Sequence, residues 1–90
     1  MNPSQLSIGV VGLGLMGCSI TTCLLLAGHR VVAVAPLPMD VPTAHPRIHE
    51  HLKKSLEEGL TTHAPDHFFE ALVITEDYGA LVDCQLVIEC

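Results

Sequence analysis

The sequence predicts an α/β fold in which a parallel sheet is flanked by helices. Short apolar segments rich in β-branched residues alternate with segments of helical periodicity, which is the order expected of parallel strands joined by helices. Hydrophobic residues make up 49% of the chain and charged residues only 16%, as suits strands buried on both faces. The 90 residues are expected to form one small domain with a modest core.

A glycine-rich loop joins the first strand, predicted over 7–11, to the first helix, predicted over 15–27. Its glycines have the spacing Gly-x-Gly-x-x-Gly. Gly12 permits a tight turn, Gly14 lets a phosphate approach the backbone, and Gly17 lets the helix pack on the strand. Unpaired N–H groups at the start of the helix favour an anion. The loop therefore predicts a Rossmann-like dinucleotide site; the alternative is that the glycines only permit close packing.

The later elements follow from apolar runs and from the positions of glycine and proline. Gly28 suits the left-handed position after the first helix. Pro36, Pro38, Pro42 and Pro46 indicate an irregular connection after the second strand. The predicted elements are a strand over 30–35, a helix over about 43–58, a short helix from 65 to about 71, a strand over 72–75, a helical turn over 76–83 and a strand over 85–89.

Right-handed crossovers between these strands give a parallel sheet of order 3-2-1-4. Such sheets bind ligands at the carboxyl ends of their strands, in the crevice where the strand order reverses. That crevice is predicted between strands one and four, where Gly12 and Gly14 meet Glu89 and Cys90. The predicted sheet is truncated, so its fourth strand is a bare apolar edge. An edge of this kind pairs with other chains, which predicts self-association through residues 86–89.

The charge of the chain excludes two classes of partner. Ten acidic residues against four basic ones give a net charge of −6, and an acidic surface repels nucleic acid and anionic lipid. With two phenylalanines and one tyrosine, the chain has no platform for stacking bases. The uncharged stretch 7–28 is interpreted as a buried strand and helix, not as a membrane span.

The four cysteines, Cys18, Cys23, Cys84 and Cys90, form no Cys-x-x-Cys pair. This spacing favours reduced thiols in a cytoplasmic protein. Cys18 and Cys23 fall on the first helix and are expected to pack as small apolar groups. The inward side of the long helix is expected to consist of Ile48, Leu52, Ser55 and Leu56.

Two histidine pairs raise a metal hypothesis. His45 and His49 are four residues apart, as are His63 and His67, and this spacing on a helix presents two imidazoles to one ion. A proline inside each pair disturbs that geometry, and no cysteine or carboxylate completes either set. The prediction is therefore a solvated surface with no metal site.

The chain resembles the N-terminal NAD-binding domain of the 3-hydroxyacyl-CoA dehydrogenase family. The segments that carry the resemblance are IGVVGLGLMG at 8–17, LAGHRVV at 26–32, LKKSL at 52–56 followed by Gly59, and ITED at 74–77 with DCQLVIE at 83–89. The first two are shared with many nicotinamide enzymes, including 3-hydroxyisobutyrate dehydrogenase. That family ranks second because it lacks similarity in the helical insertion between strands two and three.

This resemblance implies hydride transfer between the 3-hydroxy group of an acyl-CoA and NAD, as in fatty acid metabolism. It implies cofactor contacts, mostly from backbone groups, at Gly12, Gly14, Leu15, Met16, Gly17 and Cys90, with Ala35 at the ribose position. The catalytic residues of the family and its helical C-terminal domain lie beyond the matched region. Residues 1–90 are thus expected to be the NAD(P)-binding domain of a larger two-domain protein and to contain no catalytic residue.

The sequence departs from this family at the end of the second strand. NAD enzymes hold the adenosine ribose there with a carboxylate, but this chain has Ala35 followed by Pro36. Losing a charged acceptor weakens binding by about 1.5–3 kcal/mol. Asp40 is an alternative acceptor, and no lysine or arginine follows closely to favour NADP. The alternatives are therefore weakened NAD binding, use of NADP or an adenine mononucleotide, or a non-catalytic module that has lost its cofactor.

Overall fold

The computed structural model describes residues 5–90, and within them four parallel strands form one sheet of order β3-β2-β1-β4. The strands are β1 (Ser7–Val11), β2 (Arg30–Val34), β3 (Leu72–Thr75) and β4 (Leu86–Glu89). The predicted Rossmann-like order 3-2-1-4 is confirmed. The register pairs Val11 with Val34 on one side and with Glu89 on the other. The carboxyl ends of β1, β2 and β4 therefore lie side by side.

Two long helices, α1 (Leu15–Leu26) and α2 (Asp40–Glu57), enclose the core with the sheet. β1 is one of the two inner strands, and its apolar side chains are buried as a strand with two neighbours requires. Gly28, at a φ of 94°, ends α1, and the His29 N–H donates to the Leu24 carbonyl at 3.1 Å. The largest fully buried side chains of the core include Val10, Leu13, Leu25, Val31, Ile48 and Leu52.

The prediction for α2 is wrong at its start, because the helix begins at Asp40 and not near residue 43. Pro42 lies in the first turn, where its missing N–H costs no helical hydrogen bond. Pro46 lies inside the helix with an exposed ring, and the apolar stripe of Ala44, Ile48 and Leu52 keeps the segment helical. Only Pro36 and Pro38 therefore lie in the irregular connection.

Two packing predictions are also wrong. Leu56 is 36% exposed, because it lies at the margin of the α2 stripe and not within it. Cys23 is exposed, whereas Cys18 one and a half turns earlier is buried. Helix α3 (Pro65–Phe69) is shorter than predicted, and β2 and β4 each lose one predicted residue.

A 3₁₀ helix (Tyr78–Leu81) lies between β3 and β4, where a helical turn was predicted. The Asp77 carboxylate accepts a hydrogen bond from the Gly79 N–H at 2.8 Å and so caps this helix. Leu81 packs on β1 so closely that a Cβ on Gly9 would be 2.6 Å from the Leu81 Cδ2. Within residues 5–90, no helix has the length and hydropathy needed to cross a membrane.

Candidate functional site

The glycine loop lies where β1 and β2 end together. Gly12 has a φ of +104°, a conformation that side chains disfavour, and its N–H donates to the Val34 carbonyl at 2.9 Å. On its other side, a Cβ on Gly12 would be 3.1 Å from the Cys90 carbonyl oxygen. Gly12 therefore fits between the ends of β2 and β4 only because it has no side chain.

Gly14 and Gly17 have opposite surroundings. A Cβ on Gly17 would overlap the Gly12 carbonyl oxygen, so this glycine is required for packing α1 on the loop. A Cβ on Gly14 would have no neighbour within 4 Å among the described residues, and Gly14 is exposed. The open space at Gly14 is thus available to a ligand, while Gly17 has a structural role.

The first turn of α1 faces this open space. Its N-cap is Gly14, and no side chain of the described residues caps the helix. The Cys18 N–H donates to the Gly14 carbonyl at 3.0 Å, and the N–H groups before it have no partner within the helix. Leu15, Met16 and Gly17 carry these N–H groups, and the first turn has no acidic residue. The helix end therefore favours an anion.

The end of β4 meets the loop, as the sequence predicts. The Cys90 N–H donates to the Val11 carbonyl at 2.9 Å, which extends the β1–β4 pairing to the start of the loop. Cys90 and Glu89 are both exposed. The structure thus brings Gly12 and Cys90 together although 78 residues separate them in the chain.

Ala35 lies one residue beyond β2, and its N–H donates to the Thr75 carbonyl at 2.9 Å. Its side chain is fully buried in the core, whereas the Pro36 ring is exposed. Neither side chain accepts a hydrogen bond. Asp40, the alternative acceptor, is the first residue of α2 and is partly buried.

Two charged side chains of α2 influence the buried Cys18 thiol, which donates to the Leu13 carbonyl at 3.5 Å. Burial raises the pKa of this thiol, the Arg47 guanidinium opposes the rise, and the Asp40 carboxylate adds a smaller increase. A cation and an anion from α2 therefore both lie on the side of α2 that faces the start of α1. No pattern in the sequence indicates this role for Arg47, since 29 residues separate it from Cys18.

Four large apolar side chains in the segments that follow β1 and β2 are exposed. They are Leu15 and Met16 in the first turn of α1, and Leu37 and Met39 in the connection between β2 and α2. The sequence pattern does not indicate the exposure of Leu37 and Met39, because apolar residues beside prolines are typical of an irregular connection.

The histidine pairs are arranged by ring stacking. The His45 ring stacks on Phe69 with centroids 4.1 Å apart, and the His63 and His67 rings stack on each other at 3.9 Å. Among residues 5–90, no group of three or more histidine, cysteine or acidic residues is placed to hold a metal ion. A groove of about 470 Å³ lies at the amino ends of β2 and β3, beside Gly28 and His67. Its lining includes no residue of the glycine loop.

Comparisons with known proteins agree with this geometry. Residues 7–90 match a sequence model of the NAD-binding domain of 3-hydroxyacyl-CoA dehydrogenases. The structure of M. tuberculosis FadB2 is 33% identical, with a TM-score of 0.83, over 92% of this chain and 30% of that one. The structure of 3-hydroxybutyryl-CoA dehydrogenase from Escherichia coli K12 is 27% identical, with a TM-score of 0.81, over 93% of this chain and 18% of that one.

A third structure, (S)-3-hydroxybutyryl-CoA dehydrogenase PaaH1 from Ralstonia eutropha, is 22% identical and indicates the fold alone. Its TM-score is 0.81 over 93% of this chain and 30% of that one. The chain thus spans less than a third of the length of these three proteins. The comparison with curated protein sequences gives no match.

Proposed function

The chain belongs to the 3-hydroxyacyl-CoA dehydrogenase family through its NAD-binding domain, and from this premise we propose that it binds NAD at the edge formed by the glycine loop and Cys90. The observation that carries the proposal is the contrast between Gly17, where a Cβ has no room, and Gly14, where a Cβ meets nothing. A loop built only for packing has no need of a glycine at the open position.

The residues at the loop fit the pyrophosphate of NAD. The N–H groups of Leu15, Met16 and Gly17 start α1 and supply donors for its oxygens. Gly14 leaves room for a phosphate to approach the backbone, and Gly12 places the loop between the ends of β2 and β4. Cys90 borders the same edge and is our candidate for a contact beyond the pyrophosphate.

NAD, when bound, supplies the acceptor or donor of a hydride, which in this family passes to or from the 3-hydroxy carbon of an acyl-CoA. Residues 1–90 bind and orient the cofactor in this proposal, and a second, helical domain supplies the catalytic residues. The proposal of a second domain is supported by the coverage of the relatives, since the chain spans 30% of FadB2 and 18% of the E. coli enzyme. All four cysteines are free, in keeping with the reducing cytoplasm that we propose as its location.

The affinity for NAD is proposed to be weaker than in dehydrogenases with a ribose-binding carboxylate. Ala35 is buried and Pro36 has no acceptor, so the ribose hydroxyls lose a charged partner. The same observation favours a second candidate function, a non-catalytic module that keeps the fold without the cofactor. A measurement of binding separates the two.

The test is calorimetric titration of the chain with NADH, using wild type, Gly14→Val and Leu60→Ala. Valine at position 14 projects into the open space, where a Cβ meets no described residue, and Leu60, exposed just beyond the end of α2, is the matched control. Binding by wild type and Leu60→Ala, lost in a folded Gly14→Val, supports the proposal. Absence of binding by folded wild-type protein rejects it and favours the non-catalytic module.

We also propose that a second copy of the chain pairs with β4. Among the described strands, β4 is bonded only to β1, so its other edge has unpaired backbone groups. Leu86 and Val87 on this strand are both about half exposed. An apolar edge strand with free N–H and C=O groups is a template for another strand, and a second copy offers an identical one.

A further inference from the structure

The groove of about 470 Å³ at the amino ends of β2 and β3 lies at the opposite end of these strands from the glycine loop. Its volume is in the range of small-molecule sites. We call it the histidine groove, and its lining consists of residues 25–30 and of six residues between 61 and 71. None of these residues belongs to the dinucleotide edge, so the groove is a separate candidate site.

Part of the histidine groove is apolar. The apolar lining residues are Leu25, Leu26, Ala27, Phe68 and Ala71, and two of them, Leu25 and Phe68, are buried. In ligand sites, apolar side chains of this kind contact the body of the ligand, while a few polar groups orient it. The lining therefore favours a ligand with an apolar body and a polar or charged group.

Stacked rings form one wall of the groove. The exposed His63 and His67 rings stack with centroids 3.9 Å apart and an interplanar angle of 13°. The Phe68 ring meets both edge-on, at 87° to His67 and 81° to His63. A third flat ring parallel to the imidazoles would extend the stack and would meet Phe68 edge-on as well. Both are arrangements that aromatic rings prefer, so the wall favours a planar aromatic ligand over an aliphatic one.

The groove concentrates groups that carry or acquire positive charge, in a chain whose net charge is −6. Three of the six histidines, His29, His63 and His67, line it together with Arg30. Glu70 is the only acidic residue among the described residues of the lining, although the chain has ten. Histidine changes its charge between about pH 5 and 8, so the groove becomes more cationic as the pH falls. An anion is therefore the complementary ligand.

The stack of His63 on His67 links the binding of an anion to protonation. Two positively charged rings with centroids 3.9 Å apart repel each other, and a nearby anion lowers the energy of that doubly charged state. Asp66, on the same helix as His67, is exposed and does not line the groove. Binding of an anion is therefore expected to be accompanied by proton uptake and to be stronger at pH 6 than at pH 8.

We propose that the histidine groove binds a small planar aromatic carboxylate. Its ring extends the stack of His63 and His67 and contacts Phe68, and its carboxylate lies beside the imidazoles. Glu70 opposes the binding, because it is a like charge in the same lining. The site is separate from the dinucleotide edge, so this inference goes beyond the proposed function and does not rest on it.

The experiment is an NMR titration of the isotope-labelled chain with 2-naphthoate at pH 6 and pH 8, in which shifts of the backbone amides locate the site. We expect shifts at residues 25–30 and 61–71 but not at the glycine loop, 12–17, and an affinity about tenfold higher at pH 6. Two further ligands are 2-naphthamide, which is planar and uncharged, and cyclohexanecarboxylate, which is charged and has no aromatic ring. Each should bind about tenfold more weakly than 2-naphthoate at pH 6.

Three variants separate the contributions of the side chains. His67→Gln removes one ring of the stack and should weaken the binding of 2-naphthoate at pH 6 about tenfold. Glu70→Gln removes the opposing carboxylate and should strengthen it about threefold. His51→Gln is the matched control, because His51 lies on α2 and does not line the groove, and it should bind as wild type does.

Contrary outcomes overturn the inference in recognisable ways. Shifts confined to the glycine loop, or no shifts at millimolar 2-naphthoate in folded protein, would reject the site. Equal affinity for cyclohexanecarboxylate would show that the stacked rings do not select the ligand. Unchanged affinity at pH 8, or in a folded His67→Gln variant, would show that the histidines do not hold the anion. None of these results affects the proposed binding of NAD at the glycine loop.

Discussion

The carbonyl oxygen of Gly12 occupies the space that a Cβ on Gly17 would need. This contact joins the end of β1 to the first turn of α1, and it involves backbone that has no freedom to yield. Gly12 is itself held by the hydrogen bond from its N–H to Val34 and by its proximity to Cys90. The loop is therefore rigid on one side and open at Gly14 on the other.

Gly17→Ala is expected to destabilise the domain by about 3 kcal/mol or more, because the added methyl group forces α1 away from the loop. Gly14→Ala is the matched control, since its methyl group has no described neighbour, and we expect it to change stability by less than about 1 kcal/mol. Urea denaturation of the two variants measures the difference. Equal stability of Gly17→Ala and wild type would contradict the packing that we describe.

Ala35→Asp is expected to raise the affinity for NADH about tenfold or more, because its carboxylate extends beyond the buried Cβ at the end of β2 and there accepts hydrogen bonds from the ribose hydroxyls. It should not raise the affinity for NADPH, whose phosphate it repels. The same change should lower the free energy of unfolding by about 3 kcal/mol, since position 35 is fully buried. Calorimetric titration and urea denaturation measure the two effects.

Ala35→Asn is the control for this prediction. It adds a side chain of the same shape without a charge, so it should favour NADH less than Asp does and repel NADPH less. If Ala35→Asp binds both cofactors as wild type does, position 35 is not beside the ribose.

The stability of the domain is expected to fall above about pH 9 through Cys18. Burial raises the pKa of this thiol above its usual value of 9.0, with Arg47 opposing the rise. When the pKa of a thiol is higher in the folded than in the unfolded state, its contribution to stability is complete at pH values below the unfolded-state pKa. That contribution is lost as the pH rises through the folded-state pKa. Burial, with a smaller contribution from Asp83, also raises the pKa of Cys84, so both thiols act in the same direction.

The comparison of Cys18→Ala with Cys23→Ala isolates this effect. Cys18→Ala should show a shallower decline of the unfolding free energy between about pH 8.5 and 10.5, by up to about 1.4 kcal/mol per pH unit. Cys23 is exposed, so Cys23→Ala should keep the wild-type slope. Identical slopes for the two variants would show that Cys18 does not contribute.

Thiol labelling tests the position of Cys90. Cys23 and Cys90 are exposed and should react with a maleimide, while the buried Cys18 should not. Because Cys90 borders Gly12, saturating NADH should slow its labelling and leave that of Cys23 unchanged. Mass spectrometry of the labelled peptides measures both rates, and equal protection of the two cysteines would indicate a general tightening of the domain.

Val87→Lys is expected to abolish self-association, because it puts a charge on the exposed edge strand β4. Val73→Lys is the matched control, since Val73 is about as exposed but lies on β3 at the other edge of the sheet. Sedimentation velocity over a range of concentrations measures the oligomeric state. A wild-type chain that remains monomeric at its highest soluble concentration would count against the proposed pairing.

Local patterns predicted much of the fold. The glycine spacing at 12–17 and the apolar runs around it predicted the loop, and β3 has the bounds that the sequence predicted. The start of α2 was missed, because prolines such as Pro42 give the same signal in a loop and in the first turn of a helix. Structural features that depend on a residue's neighbours in the chain are thus readily predicted.

Burial and contact between distant segments were not predictable. Ala35 has the same local sequence whether its side chain faces the core or a ligand, and its burial depends on distant segments that join it in one core cluster. The influence of Arg47 on Cys18 and the exposure of Met39 also depend on where α2 lies. The backbone of the glycine loop was therefore predicted from the sequence, whereas the burial and exposure of the side chains in the following segments were not.

The pairing of Ile8 with Leu86 has a consequence for how the domain is made. β1 leaves the ribosome before the other three described strands, yet it pairs with β4, which leaves after them. The β3-β2-β1 part of the sheet and the helices over it have all their residues while β4 is still being synthesised. During that interval, one flank of β1 remains open to other nascent or newly made chains. The hydrogen bond from the Cys90 N–H to the Val11 carbonyl, beside the glycine loop, can form only when translation has passed β4.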